Sequence, residues 1–510
     1  MINPVLSPSQ AKRWFIGSLF VAAIVRLYLL WQYYCISSDG VIYLRAAQDF
    51  IAGNVNAGLA SVYPPGYPLL IAAVYPLIGD WESAGQSLSW LFGVSLLVPL
   101  FGMFRGMFAE RIALLACYLA AVSPFLALYS AHVRSESAYL FVSTAALYIF
   151  YSAIERRAMA RFFVGGLVAG YAFLVRPEAI GFLVIVPGVL LWRWRLGQET
   201  SFSRLVQATA ALSAGFLIFA LPYIVYLSVD TGRFGAISRK AGVTLAINLH
   251  ESAMLEEEGG AQGADVGSFV FTDYVLKHPL LYAKKVVSDL LPAIGVFLQA
   301  LYYSYLPFLA LGLFLLFRER GEARPDLLLI AFVLFYVFGF ALIYVKRRYS
   351  LQAVPVSLAW VAAGMWCLWD KLRIGFSFNK AGLVAASIAL FFLGSTLPKT
   401  LKPVSREKAF VRETGWYLKA RNQSGTLGVA VFDERVAFYA SARTIPLTRM
   451  EPDTMASYLR EQKADYLAAE SKIFEKIFPE LSQQPESFGL VLEKSFIGTH
   501  KDRMLLYKVS

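Results

Sequence analysis

The stretch YPPGYPLLIAAVYPLIG (63–79) decides how the rest of the chain is threaded. Its apolar part is about 14 residues between turn signals, whereas a 30 Å hydrocarbon layer needs roughly 20 at 1.5 Å per residue. It also carries Pro64, Pro65, Pro68 and Pro76, and each proline removes a backbone donor. Such a segment is expected to be re-entrant or interfacial rather than spanning.

Outward from it, apolar runs cover 14–34, 85–104, 112–130, 137–154, 162–175, 179–192, 205–229, 292–317, 326–345, 351–369 and 381–398. The 162–192 pair is short for two full spans, and Arg176-Pro177 marks the turn between them. Cytoplasmic loops concentrate Lys and Arg. With 63–79 not crossing, Lys12 and Arg13 fall on the same side as Arg105 and Arg111, Arg156, Arg157 and Arg161, and Arg193, Arg195 and Arg204. Arg318, Arg320 and Arg324 join them, as do Lys371, Arg373 and Lys380. With 63–79 crossing, every later cluster moves to the side opposite Lys12 and Arg13. The non-crossing reading gives a mostly α, polytopic membrane protein of about eleven transmembrane helices, N-terminus cytoplasmic, with outer loops at 35–84, 131–137 and 230–291.

Composition agrees. The 510 residues are 57% hydrophobic, 15% aromatic and only 16% charged, with mean hydropathy +0.55, against about 25% charged residues in soluble domains. The net charge of +12 sits in short clusters between apolar runs, where it sets topology and meets anionic lipid rather than nucleic acid. Three cysteines cannot make a disulfide framework, and four scattered histidines show no metal-ligand spacing. The first apolar run lacks a small-residue cleavage site and reads as a retained anchor. The chain divides into a transmembrane domain over 1–398 and an outer α/β domain over 399–510. In the latter, the alternating GTLGVAVFDERVAFYASARTIPL (425–447) precedes the helix-like MASYLREQKADYLAAESKIFEKIF (455–478).

Charge at a membrane boundary is costly, so the charges expected on the outer face are candidates for chemistry. In SSDGVIYLRAAQDFIAGN (37–54), Val41, Leu44, Ala47, Phe50 and Ile51 recur at helical spacing, which predicts an interfacial helix. Asp39 at its start is placed either to cap the helix or to act as a general base. In SAHVRSESAYLF (130–141), Glu136 is either an acceptor-positioning or ion-holding group, or a loop carboxylate paired with Arg134. Cations that break the charge rule, Arg176 in FLVRPEAIGF and Lys346, Arg347 and Arg348 in YVKRRYSLQAVP with Tyr349 beside them, suit a lipid phosphate; snorkelling to headgroups is the alternative. Lys284 and Lys285 are weaker candidates of the same kind, with Tyr43, Arg45 and Tyr63 as accessory positions.

Together these segments resemble the GT-C superfamily of polyprenyl-phosphate-sugar glycosyltransferases, in the protein O-mannosyltransferase and lipid A aminoarabinose transferase-like branch. The resemblance rests on Ser38-Asp39-Gly40-x-x-Tyr43, YPPGYPLL (63–70), Arg134-Ser135-Glu136, LVRPEAIG (174–181), RRYSLQAVP (347–355) and VFDERVAFYASARTIPL (431–447). It implies a hexosyl- or pentosyltransferase of the cell envelope. A polyprenyl-phosphate sugar would be the donor and a lipid, glycan or protein the acceptor, reacting by inverting direct displacement on the outer face of a bacterial inner membrane. In that scheme Asp39 takes the acceptor proton, Glu136 orients the acceptor, and Arg176, Arg347 and Arg348 offset charge on the departing phosphate. The reaction needs no nucleotide, and a divalent cation stays open with no residue cluster to signal it. Many protein mannosyltransferases carry Asp-Glu where this chain has Asp39-Gly40, which leaves the acceptor undecided. The polar LEEEGGAQGADVG (255–267) matches no motif and reads as a gating loop. A transporter or flippase of lipid-linked sugars, or a surface polysaccharide polymerase or ligase, are the alternative readings.

Overall fold

The structure, a computed structural model, describes residues 7–198, 201–239, 271–319, 326–447, 450, 452–498 and 502–510. The 255–267 stretch therefore lies outside the described residues. The first helix, Pro8–Trp31, opens with a capping box in which Ser7 accepts from the Gln10 backbone and the Gln10 side chain answers. It turns Trp14, Phe20 and Trp31 outward, as a lipid-facing helix does.

Among the described residues seven helices are long and apolar enough to cross a membrane, or eight if one bent pair is counted as a span. This count leaves the expected eleven unconfirmed, since one of the apolar runs is broken, one is bent and others form short helices. The run at 112–130 is interrupted at Ser123 and Pro124, giving Glu110–Val122 and Pro124–Tyr129. That break strands the last carbonyls of the first piece. The fully buried Arg26 of the first helix bonds Ala121 O at 3.0 Å and Ala120 O at 3.5 Å, and Thr400 Oγ1 donates to Val122 O at 2.7 Å. The run at 292–317 is bent by 91° between Pro279–Leu301 and Tyr303–Leu315, at Tyr302 with φ 81°, a conformation rare outside glycine. Met159–Val175 and Leu327–Leu342 are apolar but short.

Residues 66–78 form a 13-residue helix, about 20 Å at 1.5 Å per residue and too short to cross. Tyr67 anchors it by bonding Gly85 O at 3.0 Å and Ser89 Oγ at 2.8 Å. Arg134, which follows Pro124–Tyr129, lies 3.5 Å from Asp39, which follows the first helix. Tyr63, just before 66–78, is bonded to Asp39 as well, so this helix starts at the Asp39 end of the bundle.

At the other end of the bundle the basic clusters converge. Arg193 pairs with Glu155 at 3.0 Å, Arg157 donates to Gln198 O at 3.1 Å, and Arg111 lies 3.8 Å from Asp370.

After Phe378–Thr400 the chain builds a five-stranded mixed sheet, order β2-β1-β3-β5-β4. Its strands are β1 (Gly428–Val431), β2 (Arg443–Pro446), β3 (Tyr466–Glu470), β4 (Leu490–Ile497) and β5 (Arg503–Val509). β1 runs parallel to β2 and β3, while β3, β5 and β4 pair antiparallel. Every residue of β1 and β3 is buried, as central parallel strands require. The sheet meets the bundle where Val404 exchanges backbone bonds with Gln32 and Tyr34 at 2.9 and 3.0 Å.

Candidate active site

Several backbone segments meet at the cavity. Ser37 caps the helix Ser38–Ile51 by accepting from Gly40 N at 3.1 Å, so Asp39 is not the cap and its carboxylate lines the cavity from the first turn. A Cβ at Gly40 would come within 2.8 Å of Ile36 Cγ1 and 3.0 Å of Val133 O. The loop before Arg134 thus approaches the helix too closely for a second acidic side chain at that position. A Cβ at Gly66 would stand 2.6 Å from Leu174 O, so the Pro-rich segment touches the backbone that leads to Arg176.

The cavity is lined among others by Asp39, Tyr63, Glu136, Arg176, Glu178 and Arg348. Asp39 Oδ1 accepts from Tyr63 OH at 2.5 Å. Its Oδ2 accepts from Arg348 Nη1 at 2.8 Å and lies 3.5 Å from Arg134 Nη2. Glu136 is 3% exposed and pairs at 3.2 Å with Arg176, so the expected neighbour Arg134 serves Asp39 instead. Arg176 also bonds Glu178 at 2.9 Å and sits over the rings of Tyr139 and Tyr349 at 5.8 and 5.7 Å. Arg348 donates to Tyr349 OH at 3.0 Å, and Tyr349 is fixed by stacking on Phe340 at 4.7 Å. Tyr43 bonds Ser135 at 2.8 Å and stacks on Tyr63 at 4.5 Å.

These pairings set the protonation states. Burial alone lowers the Arg348 pKa, but Tyr349, Asp39 and Glu136 outweigh it and hold the guanidinium above its ordinary value. Burial likewise opposes the charge on Arg176, and Glu178 and Glu136 more than reverse it. Burial and then the Asp39 charge push the Tyr63 phenol up, so it stays protonated and donates. The cavity therefore joins fixed cations to carboxylates, an arrangement able to hold a phosphate beside a proton acceptor.

The remaining candidates lie elsewhere. Arg347 turns away to the Phe125 ring at 4.2 Å, and Lys346 lies over Tyr344 at 4.1 Å. Arg45 pairs with Glu434 at 2.9 Å, away from the cavity. Lys284 is exposed. Lys285 is buried and donates to Ala341 O at 2.7 Å and Ile343 O at 2.9 Å, so it shapes the wall carrying Ile343 instead of facing a ligand.

Sequence reasoning passed over Glu178, whose Oε2 is buried without a hydrogen-bond partner. Its signal was present in LVRPEAIG, two residues from Arg176. Among the described residues no group of three or more His, Cys, Asp or Glu could hold a metal ion. Asp39 and Glu136 are turned onto guanidinium groups, a donor set that suits arginine better than a divalent cation.

Residues 62–230 match the family model described as dolichyl-phosphate-mannose-protein mannosyltransferase. No curated protein matches the chain. In fold it is similar to ArnT from Cupriavidus metallidurans in the apo state, at TM-score 0.57 and 13% identity over 97% of this chain and 98% of that one. The same enzyme bound to undecaprenyl phosphate superposes at TM-score 0.53, again at 13% identity over 97% and 98%. An oligosaccharyltransferase from Archaeoglobus fulgidus aligns at TM-score 0.53 and 13% identity over 98% of this chain and 73% of that chain.

Proposed function

We propose that this chain, a multi-pass membrane protein with the GT-C fold of the ArnT and mannosyltransferase type, is a glycosyltransferase that takes its sugar from a polyprenyl-phosphate donor. One observation carries the reading. Asp39 and Arg348, a base and a phosphate ligand in type, are bonded to each other in a cavity that Arg176 and Glu136 also line.

The donor phosphate enters beside Arg348 and Arg176 and competes with Asp39 for the Arg348 guanidinium. As it succeeds, Asp39 loses an opposite charge, which raises its proton affinity. Asp39 then takes the proton of the acceptor group as that group attacks the anomeric carbon. The bond from that carbon to the phosphate oxygen breaks on the opposite face, so configuration inverts. The arginines offset the charge gathering on the departing polyprenyl phosphate, worth about 3 kcal/mol per well-placed donor. Glu136 holds Arg176 in place and orients the acceptor. No step runs through a metal.

The basic clusters at the end remote from the cavity support an outer-face site and a cytoplasmic N-terminus. Both a hexose and a pentose fit this chemistry, as do lipid, glycan and protein acceptors. Purified chain in lipid vesicles, supplied with a polyprenyl-phosphate sugar and candidate acceptors, tests the reading. Release of polyprenyl phosphate with sugar on the acceptor is the expected result. Intact donor crossing the bilayer without release makes the protein a transporter instead.

A further inference from the structure

The segment joining the first span to the helix of Asp39 is held from outside by residues of the C-terminal domain. Ile36 is fully buried, and its backbone N–H donates to Tyr439 OH at 2.7 Å. Without that oxygen it would be an enclosed donor with no acceptor at this position, which is unfavourable. The same hydroxyl donates to Glu82 at 2.9 Å, so one group joins the first loop, the helix beginning at Trp81 and the sheet domain.

Two residues on from Ile36, Ser38 Oγ donates to Asp433 Oδ2 at 3.3 Å. Asp433 is gripped by the Arg435 guanidinium and backbone, which hold its carboxyl below the ordinary range against the opposing effect of burial. Two turns along the same helix, Arg45 is bound by Glu434 at 2.9 Å and Thr444 at 2.6 Å. The helix is thus fixed at its start and again at its second turn, which sets both its position and its rotation. Asp39 lies between the two fixed points. Every outer partner belongs to the 431–447 motif, which the transfer chemistry above does not use.

We propose that Tyr439 and Asp433 are positioning residues for transfer, holding the Ser38–Ile51 helix so that Asp39 meets Arg348, Tyr63 and the acceptor in one geometry. This rests on the reading of Asp39 as the base. The physical reason is the steepness of the requirement, since a misplacement of about 1 Å at a reacting group costs about 100-fold in rate.

The test uses the full chain in lipid vesicles with a polyprenyl-phosphate sugar, comparing wild type with Tyr439→Phe, Asp433→Asn, Asp433→Glu and Asp39→Asn, each rate normalised to folded protein. Tyr439→Phe and Asp433→Asn should lower kcat about 10- to 100-fold while donor KM stays within about twofold. The acid limb of their kcat/KM, which reports the free enzyme, should move to higher pH, because a base drawn off a guanidinium binds its proton more tightly. Asp433→Glu should recover part of the rate. Unchanged kcat and pH limb in both variants, with Asp39→Asn inactive, overturns the positioning role and leaves the base standing. Activity in Asp39→Asn equal to wild type removes the base itself. A loss of rate that vanishes on normalisation also overturns the proposal.

Discussion

Arg348 Nη1 bonds Asp39 Oδ2 at 2.8 Å across 309 positions of the chain. Two groups expected to serve different reactants, one the acceptor and one the donor, instead serve each other. A buried charge left alone is expensive, and pairing removes that cost until a phosphate replaces the carboxylate.

Asp39→Asn is expected to reduce kcat by about 10²–10⁴ with donor KM unchanged or lower, because the phosphate no longer competes for Arg348. Steady-state release of polyprenyl phosphate measures it. Turnover near wild type would exclude Asp39 as the base.

Arg348→Ala should cost about 2–4 kcal/mol in kcat/KM for the donor, with a much smaller change when the acceptor is varied. Arg348→Lys keeps the charge but not the planar fork and should fall between the two. Donor titrations at saturating acceptor decide; a donor dependence like wild type reduces this cation to a headgroup contact.

His132 gives a pH prediction. Burial, then the adjacent Arg134, lower its pKa from 6.5 to about 3, and its enclosed Nδ1 has no hydrogen-bond partner. The folded protein binds the proton less readily than the unfolded chain, so stability is complete above pH 6.5 and declines as pH falls toward 3. The slope is up to about 1.4 kcal/mol per pH unit. His132→Gln should flatten the fall in thermal midpoint between pH 6.5 and 4. Identical slopes in the two proteins would mean another group is responsible.

Gly66→Ala places a methyl group against the Leu174 carbonyl, where backbone has to yield. Overpacking of this kind costs about 1–3 kcal/mol. The displaced segment leads directly to Arg176, so donor KM should rise along with the loss in thermal midpoint. Gly79→Ala, where added bulk meets nothing but φ is +78°, should lower the midpoint and spare KM.

The short, non-spanning length of 66–78 was legible because it depends on local chemistry. Prolines at 64, 65, 68 and 76 shorten one segment, and clustered arginines label the loops. The pairing within the site was not. Arg134 and Glu136 are two residues apart yet serve different partners, since helix Ser135–Arg156 begins between them and sends Glu136 inward. Arg347 and Arg348 diverge for the same reason, as neighbouring residues on a helical turn point about 100° apart. Pro124 could have announced the break in 112–130. The bend at Tyr302 had no comparable sign, and Arg26 gave none of its task, which follows from that break. Of the partners of Lys285, only Asp289 four residues on at 3.1 Å could be read from the sequence; the backbone oxygens of Ala341 and Ile343 carry no such signature.

The backbone bonds between Val404 and residues 32 and 34 have a consequence for biogenesis. The first helix leaves the ribosome long before its partner exists, and Tyr439 follows later still. A chain halted before these partners are made would carry Asp39 on a helix without its outer ties. The geometry around Asp39 is complete only once about the last 110 residues have been made and folded.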